Sequence, residues 1–261
     1  MKRICMAICI LIALGLVGCV FRVGRPGADG DKGHNGRNGL PGHDGRSDVD
    51  LLKANYLNLV KVYDANYNAF KLREADFDKE IPFNSIEFGD EFKTGEQRNN
   101  VYAGLGYSIV DIEVVKKLVT ALMGDVDDVS KEVAKNLLLA LRSSAQYVRE
   151  VINEKDTICN DVNLDKLKRG DNVIDVSEIN AMLMMMLRKR ESVIKGIKEA
   201  LINAELSLMP LAIADIRVKL DVIVQTRSKI YKKIYTGDNS LQGLRDATIR
   251  KIDELKQALL P

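Results

Sequence analysis

The sequence predicts an all-α protein, an antiparallel bundle of about six helices behind a disordered amino-terminal tether. Apolar residues recur at steps of three and four along most of residues 48–261, which is the spacing of one face of an α-helix. Only three prolines occur in this region, at positions 82, 210 and 261, and no segment keeps the alternation of a β-strand. Since helices joined by short connections pack as bundles, we predict one helical domain over residues 48–261.

The first predicted elements lead from a long helix into a short one. The apolar face of the first helix covers Leu52–Phe70, with Asn66 where an apolar residue is expected. A Phe-rich loop over residues 81–95 follows, and we expect its aromatic side chains to fold back onto the bundle. A short helix, Glu96–Tyr102, then ends at the Gly-Leu-Gly-Tyr sequence of residues 104–107.

Cap residues predict where the next two helices begin. Ser108 is the cap candidate for a helix whose apolar face covers Ile112–Leu122. Gly124 ends that helix. The carboxylates in residues 125–128 favour the amino terminus of the following helix, which we expect to run to about Asn153.

The second half of the domain is predicted to contain three more helices. Residues 155–175 are polar and predict a connection with at most one helical turn. Ser177 is expected to cap a long helix that Pro210 ends or kinks. The most regular apolar spacing follows and predicts one helix over Ile213–Ile234. After a turn, the last helix has its apolar face over Leu241–Leu259.

Residues 1–18 have the features of an export signal. Two basic residues precede an apolar stretch, Ile4–Val17, which is too short to span a hydrocarbon core of about 30 Å as a helix. The stretch ends in a sequence that resembles the bacterial lipobox, Leu16-Val17-Gly18-Cys19. In a lipobox, the lipoprotein signal peptidase cleaves before a cysteine that carries acyl chains.

This resemblance implies a mature protein that begins at Cys19 and is held to the membrane through acyl chains on that residue. Several acyl chains give a durable anchor, because each buried CH₂ contributes about 0.8 kcal/mol. We therefore predict a lipid-anchored membrane protein. The alternatives are an ordinary signal peptide and an uncleaved anchor helix, and Cys19 has no special role in either.

Residues 19–47 are predicted to form a tether with a collagen-like repeat. Glycine occupies every third position from Gly24 to Gly45, which is the period that a collagen triple helix requires. The tract has prolines only at Pro26 and Pro41, so a triple helix would be marginal. The alternative is a flexible spacer with a root-mean-square length of roughly 30 Å. We favour the spacer, and therefore a monomer.

The composition of residues 48–261 excludes several function classes. The region holds 32 basic and 34 acidic residues, and this slight acidity argues against a nucleic-acid binder. It has no histidine and one cysteine, Cys159, so it cannot form a Ser-His-Asp or Cys-His catalytic centre or a His/Cys zinc site. We expect no catalytic residue, no metal site and no cofactor.

One acidic segment has part of the spacing of a calcium-binding loop. Asp161, Asn163 and Asp165 match the first ligands of an EF-hand. Lys166 stands where the loop requires glycine, and Asn172 stands where a bidentate glutamate is needed. We therefore interpret this segment as an ordinary polar connection.

Three further features are interpreted as structural. The methionines within residues 182–186 suggest soft-metal or apolar binding, but core filling explains them better. The basic run of residues 188–190 is interpreted as a solvated helix face. Cys159 is interpreted as a small residue at a helix end, with an intermolecular disulfide as the alternative.

One segment resembles a known family. Residues 98–107, Arg-Asn-Asn-Val-Tyr-Ala-Gly-Leu-Gly-Tyr, followed by Ile109–Leu118, are similar to a segment of the virulent-strain-associated lipoprotein group. In that group a short helix runs into a Leu-Gly-Tyr-like turn and a second helix. The lipobox, the polar tether and the His-poor body also resemble Borrelia surface lipoproteins, although their tethers are usually not collagen-like.

The resemblance implies a spirochaetal outer-surface antigen that acts at the host or vector interface, and it supplies no ligand-binding residues. The main hypothesis is a non-enzymatic interaction module that binds a host protein. The alternative is a surface-coat or decoy antigen without a specific ligand. An enzyme that uses paired carboxylates in a groove between helices is the least supported hypothesis.

Overall fold

The computed structural model describes residues 45–169 and 173–259. This described part of the chain is helical and has no β-strand, so the predicted all-α class is confirmed. Seven of its helices have ten or more residues, against about six predicted. The helices of the described residues are α1 (Gly45–Tyr63), α2 (Tyr67–Lys71), α3 (Glu74–Glu80), α4 (Gly95–Gly104), α5 (Ile109–Met123), α6 (Asp128–Asn153), α7 (Lys155–Ile158), α8 (Asp161–Arg169), α9 (Val173–Glu205), α10 (Ile213–Val224), α11 (Lys229–Tyr235) and α12 (Leu241–Leu259).

Helices α6 and α9 form the centre of the bundle. Helix α9 has 33 residues and packs against α1, α5, α10 and α12. Helix α6 has 26 residues and packs against α4, α5, α10 and α12. Both helices bury apolar residues at steps of three and four, and their neighbours therefore form one continuous core with them.

The predicted caps of α5 and α6 are confirmed. The Ser108 hydroxyl accepts a hydrogen bond from the backbone at the start of α5. Asp127 caps α6, and its Oδ1 accepts from the Val129 N–H at 2.9 Å. A capping box of Thr94 and Gln97 starts α4, so this helix begins one residue before the predicted start.

Helix α4 ends in close contact with α6. A Cβ atom on Gly104 would lie less than 3.0 Å from three backbone atoms of Leu141, so only glycine allows this approach. The turn that follows places Gly106 and Tyr107 at positive φ, with angles of 64° and 55°. A non-glycine residue rarely adopts this conformation, and burial of the Tyr107 ring accompanies it here.

The aromatic side chains of the 81–95 loop fold back into the core, as predicted. Phe83, Phe88 and Phe92 are all buried. Their ring centroids lie 5.6 to 5.9 Å from neighbouring aromatic rings, including that of Tyr102 on α4. These separations are typical of favourable aromatic pairs, so the loop is fixed by its side chains although most of it is not helical.

The prediction for residues 155–175 is wrong in two respects. The segment contains α7 and α8 rather than a single turn, because Leu164 and Leu167 are buried, and α8 packs against α1 and α12. Helix α9 begins at Val173, so Ser177 lies inside the helix and does not cap it.

Two predicted helices are each divided into two. The first is interrupted after Tyr63, and Asn66 in the gap donates from Nδ2 to the Gly106 carbonyl at 2.9 Å. This contact explains why a polar residue interrupts the apolar spacing. The helix predicted over Ile213–Ile234 breaks at residues 225–228, where the Ser228 hydroxyl caps α11.

The interpretation of residues 188–190 as a solvated face is wrong for Arg190. Only 1% of Arg190 is exposed. Its guanidinium carbon lies 4.5 Å from the centre of the Tyr63 ring, and its Nη2 donates to the Ala103 carbonyl at 3.0 Å. Arg190 lies on the apolar face of α9, where the aromatic ring and the carbonyl stabilise its positive charge.

The predicted signal, lipidation and tether features lie mostly outside the described residues. Leu16, Val17, Gly18, Cys19 and the glycine repeat up to residue 44 belong to that part of the chain. Helix α1 begins at Gly45, so the last predicted Gly-X-Y triplet is helical. Among the described residues, no helix combines the length and the apolarity needed to cross a bilayer.

Candidate functional site

Helices α9, α10 and α11 enclose a groove on the surface of the bundle. Along α9, the small residues Ser192, Gly196 and Ala200 recur every fourth position and lie on one helix face. Their short side chains leave space between the three helices, and the resulting cavity has a volume of about 680 Å³. This volume is within the range of ligand-binding pockets.

The lining of this groove is apolar, whereas its rim is basic. Val218 and Val222 from α10 are 62% and 46% exposed, and Ile230 from α11 packs beside Gly196. We call this site the lysine groove. Its rim consists of Lys195, Lys219, Lys229 and Lys233, and its other lining residues are Ser192, Gly196, Glu199, Ala200, Asn203, Val218, Val222 and Ile230.

The rim lysines lack acidic partners. Within residues 45–169 and 173–259, no carboxylate lies within ion-pair distance of Lys195, Lys219, Lys229 or Lys233. The Lys233 ammonium instead donates to the Ser192 hydroxyl at 2.6 Å. The groove therefore presents positive charge that the fold does not neutralise.

Lys233 lies close to other lysines and is partly withdrawn from water. Its pKa lies below the ordinary lysine value, chiefly because the ammonium is partly withdrawn from water. The neighbouring Lys229 and Lys189 lower the pKa further, and Glu199 opposes them more weakly. An anion bound in the groove would relieve this repulsion.

The positive charge of the groove reflects an excess of basic residues over acidic residues in residues 187–236. Residues 187–236 hold eleven Lys and Arg against five Asp and Glu, although the whole chain has a net charge of only +2. Since Arg190 in this range is buried in the core, the remaining excess lies on α9, α10, α11 and their connections. A groove with apolar lining and a basic rim can bind a ligand that is both acidic and apolar.

The structure places the other candidate groups away from this groove. Asp161, Asn163 and Asp165 lie on α8, so they do not form a calcium loop. Cys159 is a half-buried free thiol at the end of α7, and burial raises its pKa to about 11. A thiol with this pKa is a poor nucleophile at neutral pH.

The methionines of residues 182–186 divide between the core and the surface. Met186 is buried in the core, Met185 is 42% exposed, and Met182 and Met184 are intermediate. Across the described residues, no group of three or more His, Cys, Asp or Glu side chains could hold a metal ion.

The lysine groove was not predicted from the sequence. A local signal was nevertheless present, since small residues recur at positions 192, 196 and 200 and basic residues are frequent after position 187. Comparisons with known proteins add no assignment, because the chain matches no protein-family model, no curated protein and no solved structure.

Proposed function

We propose that this protein is a lipid-anchored bacterial outer-surface protein whose helical domain binds a protein of the host or vector. The observation that carries the proposal is the lysine groove, in which exposed valines lie within a rim of lysines that have no carboxylate partner among the described residues. A cleft that combines exposed apolar side chains with a basic rim can bind a partner that is both apolar and acidic. The Borrelia-type resemblance of residues 98–118 supports the same assignment.

The anchor in this proposal is Cys19. The sequence Leu16-Val17-Gly18-Cys19 follows a short basic segment and an apolar stretch, which is the order found in lipoprotein signals. Acyl chains on Cys19 would hold the protein at the membrane, and the glycine-rich residues 19–44 would separate the helical domain from the lipid surface.

The lysine groove favours an interaction module over a coat or decoy antigen. A protein that only covers the surface needs no cleft, and its exterior is expected to mix both signs of charge evenly. The charge of residues 187–236 is instead strongly uneven, and it surrounds a cavity. We therefore assign binding rather than covering as the role of the domain.

The proposed anchor can be tested with a single substitution. Cys19→Ala is expected to abolish incorporation of radiolabelled palmitate, because no thiol remains at the acylation site. The matched control is Cys159→Ala, which removes the cysteine at the end of α7 and should leave labelling unchanged. Labelled palmitate on the Cys19→Ala variant would contradict the lipoprotein assignment.

Surface display is tested by protease treatment of intact cells that express the wild-type protein. We expect the helical domain to be removed while a periplasmic marker protein stays intact. Survival of the domain under conditions that digest a known surface protein would contradict display. Failure to capture any serum or matrix protein at micromolar concentration would count against the binding role.

A further inference from the structure

We propose that the lysine groove binds an acidic amphipathic α-helix of the partner protein. This inference rests on the proposed function, and it specifies the chemistry of the partner. The occupant would place carboxylates against the rim lysines and apolar side chains against the valines and Ile230.

The dimensions of the groove suit a helix of about three turns. The lining residues of α9 extend from Ser192 to Asn203, which corresponds to about 16 Å along the helix axis. A partner helix of about eleven residues has the same length. Helices that bind in grooves use apolar residues at spacings of three and four, and such residues could contact Val218 and Val222.

Charge complementarity indicates that the partner carries negative charge. Lys195, Lys219, Lys229 and Lys233 surround the cavity, and Glu199 is the only acidic residue among its described lining residues. A partner with carboxylates on both flanks of its apolar face would give each lysine an opposite charge. A neutral or basic helix would leave the lysines unpaired and would lose the benefit of electrostatic steering.

The apolar lining distinguishes a protein from a polyanion. A sulfated glycan or a phospholipid headgroup could neutralise the lysines, but neither presents apolar groups to cover the exposed Val218 and Val222. An acidic amphipathic segment satisfies both parts of the site. The combination of lining and rim therefore favours a protein partner.

The groove also favours a helix over an extended peptide. An extended peptide must find hydrogen-bond partners for its own backbone, whereas a helix satisfies its backbone internally. Four of the polar groups around the groove are lysine ammoniums, which cannot accept a hydrogen bond from a peptide N–H, and the Ser192 hydroxyl already accepts from Lys233. No β-strand exists in the described residues, so no sheet edge is available to pair with an extended chain.

The test uses the full-length chain in detergent and a fluorescein-labelled 15-residue peptide as the probe. The peptide carries leucines at spacings of three and four and glutamates on both flanks. Its controls are the same peptide with glutamine in place of every glutamate, and a shuffled peptide of identical composition. We expect the amphipathic peptide to bind at least about tenfold more tightly than either control, and salt should weaken its binding.

Variants locate the binding site. The double substitution Lys219→Glu and Lys229→Glu should reduce affinity for the peptide by about tenfold or more, and Val222→Ser should reduce it severalfold. The matched control is Lys61→Glu with Lys79→Glu, which changes the same charge at exposed positions on α1 and α3. Circular dichroism of each variant checks that the helical fold is unchanged.

Three results would overturn the proposal. One is equal affinity for the three peptides, and another is equal loss of affinity in the groove and control double variants. The third is groove-dependent binding of a heparin oligosaccharide or of phosphatidylglycerol vesicles in the absence of peptide binding. Peptide binding without surface display would refute the proposed function alone, whereas display without peptide binding would refute this inference alone.

Discussion

Basic residues on opposite faces of helix α9 have different surroundings. On the face toward the aromatic residues of α1 and α4, Arg190 is buried against the Tyr63 ring and donates to the Ala103 carbonyl. On the face toward α10 and α11, Lys195 is exposed and has no carboxylate partner among the described residues. The contacts of Arg190 therefore give it a structural role in the core. In the described part of the chain, Lys195 has no comparable contact that would explain its position.

Many basic residues elsewhere in the described part of the bundle lie within ion-pair distance of a carboxylate. Arg73 lies 3.1 Å from a carboxylate oxygen of Glu113, and the Arg142 guanidinium lies 2.6 Å from one of Glu91. Helical domains with similar numbers of acids and bases can usually distribute them in this way. The rim of the lysine groove differs because four lysines without a carboxylate partner among the described residues surround one cavity.

Packing also differs between the contact of α4 with α6 and the contact of α9 with α11. At the contact between α4 and α6, the backbone of Leu141 leaves no space for a Cβ on Gly104. At the contact between α9 and α11, a Cβ on Gly196 would meet only the end of the Ile230 side chain, at 3.2 Å. One contact is rigid because it involves backbone, and the other can adjust because it involves a flexible side chain.

The largest predicted effect is that of Gly104→Ala. The added methyl group must push α4 away from α6, because backbone atoms cannot move out of its path. We expect the free energy of unfolding to fall by about 3 kcal/mol, measured by urea denaturation. The control is Gly95→Ala in the same helix, where a Cβ meets no atom within 4 Å. Equal stability of the two variants would contradict the tight contact.

A smaller effect is expected from Tyr56→Phe. Tyr56 is fully buried, and within the described residues its hydroxyl has no hydrogen-bond partner. Removing this hydroxyl should raise the free energy of unfolding by about 1 kcal/mol at pH 7. The control is Tyr102→Phe, because the Tyr102 hydroxyl donates to Asp78 at 2.7 Å and its removal should destabilise the protein. Stabilisation by both changes would contradict this distinction.

The buried Tyr56 hydroxyl also makes the stability of the protein depend on pH in the alkaline range. Burial, followed by nearby Cys159 and Glu154, raises the pKa of Tyr56 well above its ordinary value of 10.0. The folded state therefore retains this proton above pH 10 when the unfolded state has lost it. The contribution of this proton to the free energy of unfolding is complete below pH 10. Above pH 10 the free energy of unfolding falls by about 1.4 kcal/mol per pH unit for each buried tyrosine whose pKa is raised in this way. Tyr56→Phe should reduce the slope above pH 10 by about that amount.

The sequence predicted the helices well where spacing and caps agreed. Ser108 and residues 125–128 marked the starts of α5 and α6 because their signals are local. Helix α8 was missed because only Leu164 and Leu167 are buried within a strongly charged segment. Its stability depends on packing against α1 and α12, which local residues do not reveal.

Arg190 and the lysine groove were missed for different reasons. Arg190 follows Met186 by four positions and precedes Ile197 by seven, so its place on the apolar face could have been recognised. The groove depends on how three helices meet, and its members extend from Ser192 to Lys233 along the chain. Small residues and lysines are visible in the sequence, but their meeting at one cavity is a property of the fold.

The smallest predicted effect on stability is that of Gly196→Ala. Alanine has a higher helix propensity than glycine, which contributes up to about 1 kcal/mol, and the contact of the new methyl group with Ile230 opposes this gain. We expect the free energy of unfolding to change by less than about 0.5 kcal/mol in urea denaturation. The methyl group also occupies part of the groove lining, so affinity for the acidic amphipathic peptide should fall severalfold. A loss of stability as large as that of Gly104→Ala would mean that Ile230 cannot move. The contact between α9 and α11 would then be as rigid as that between α4 and α6, and the proposed contrast between the two regions would be wrong.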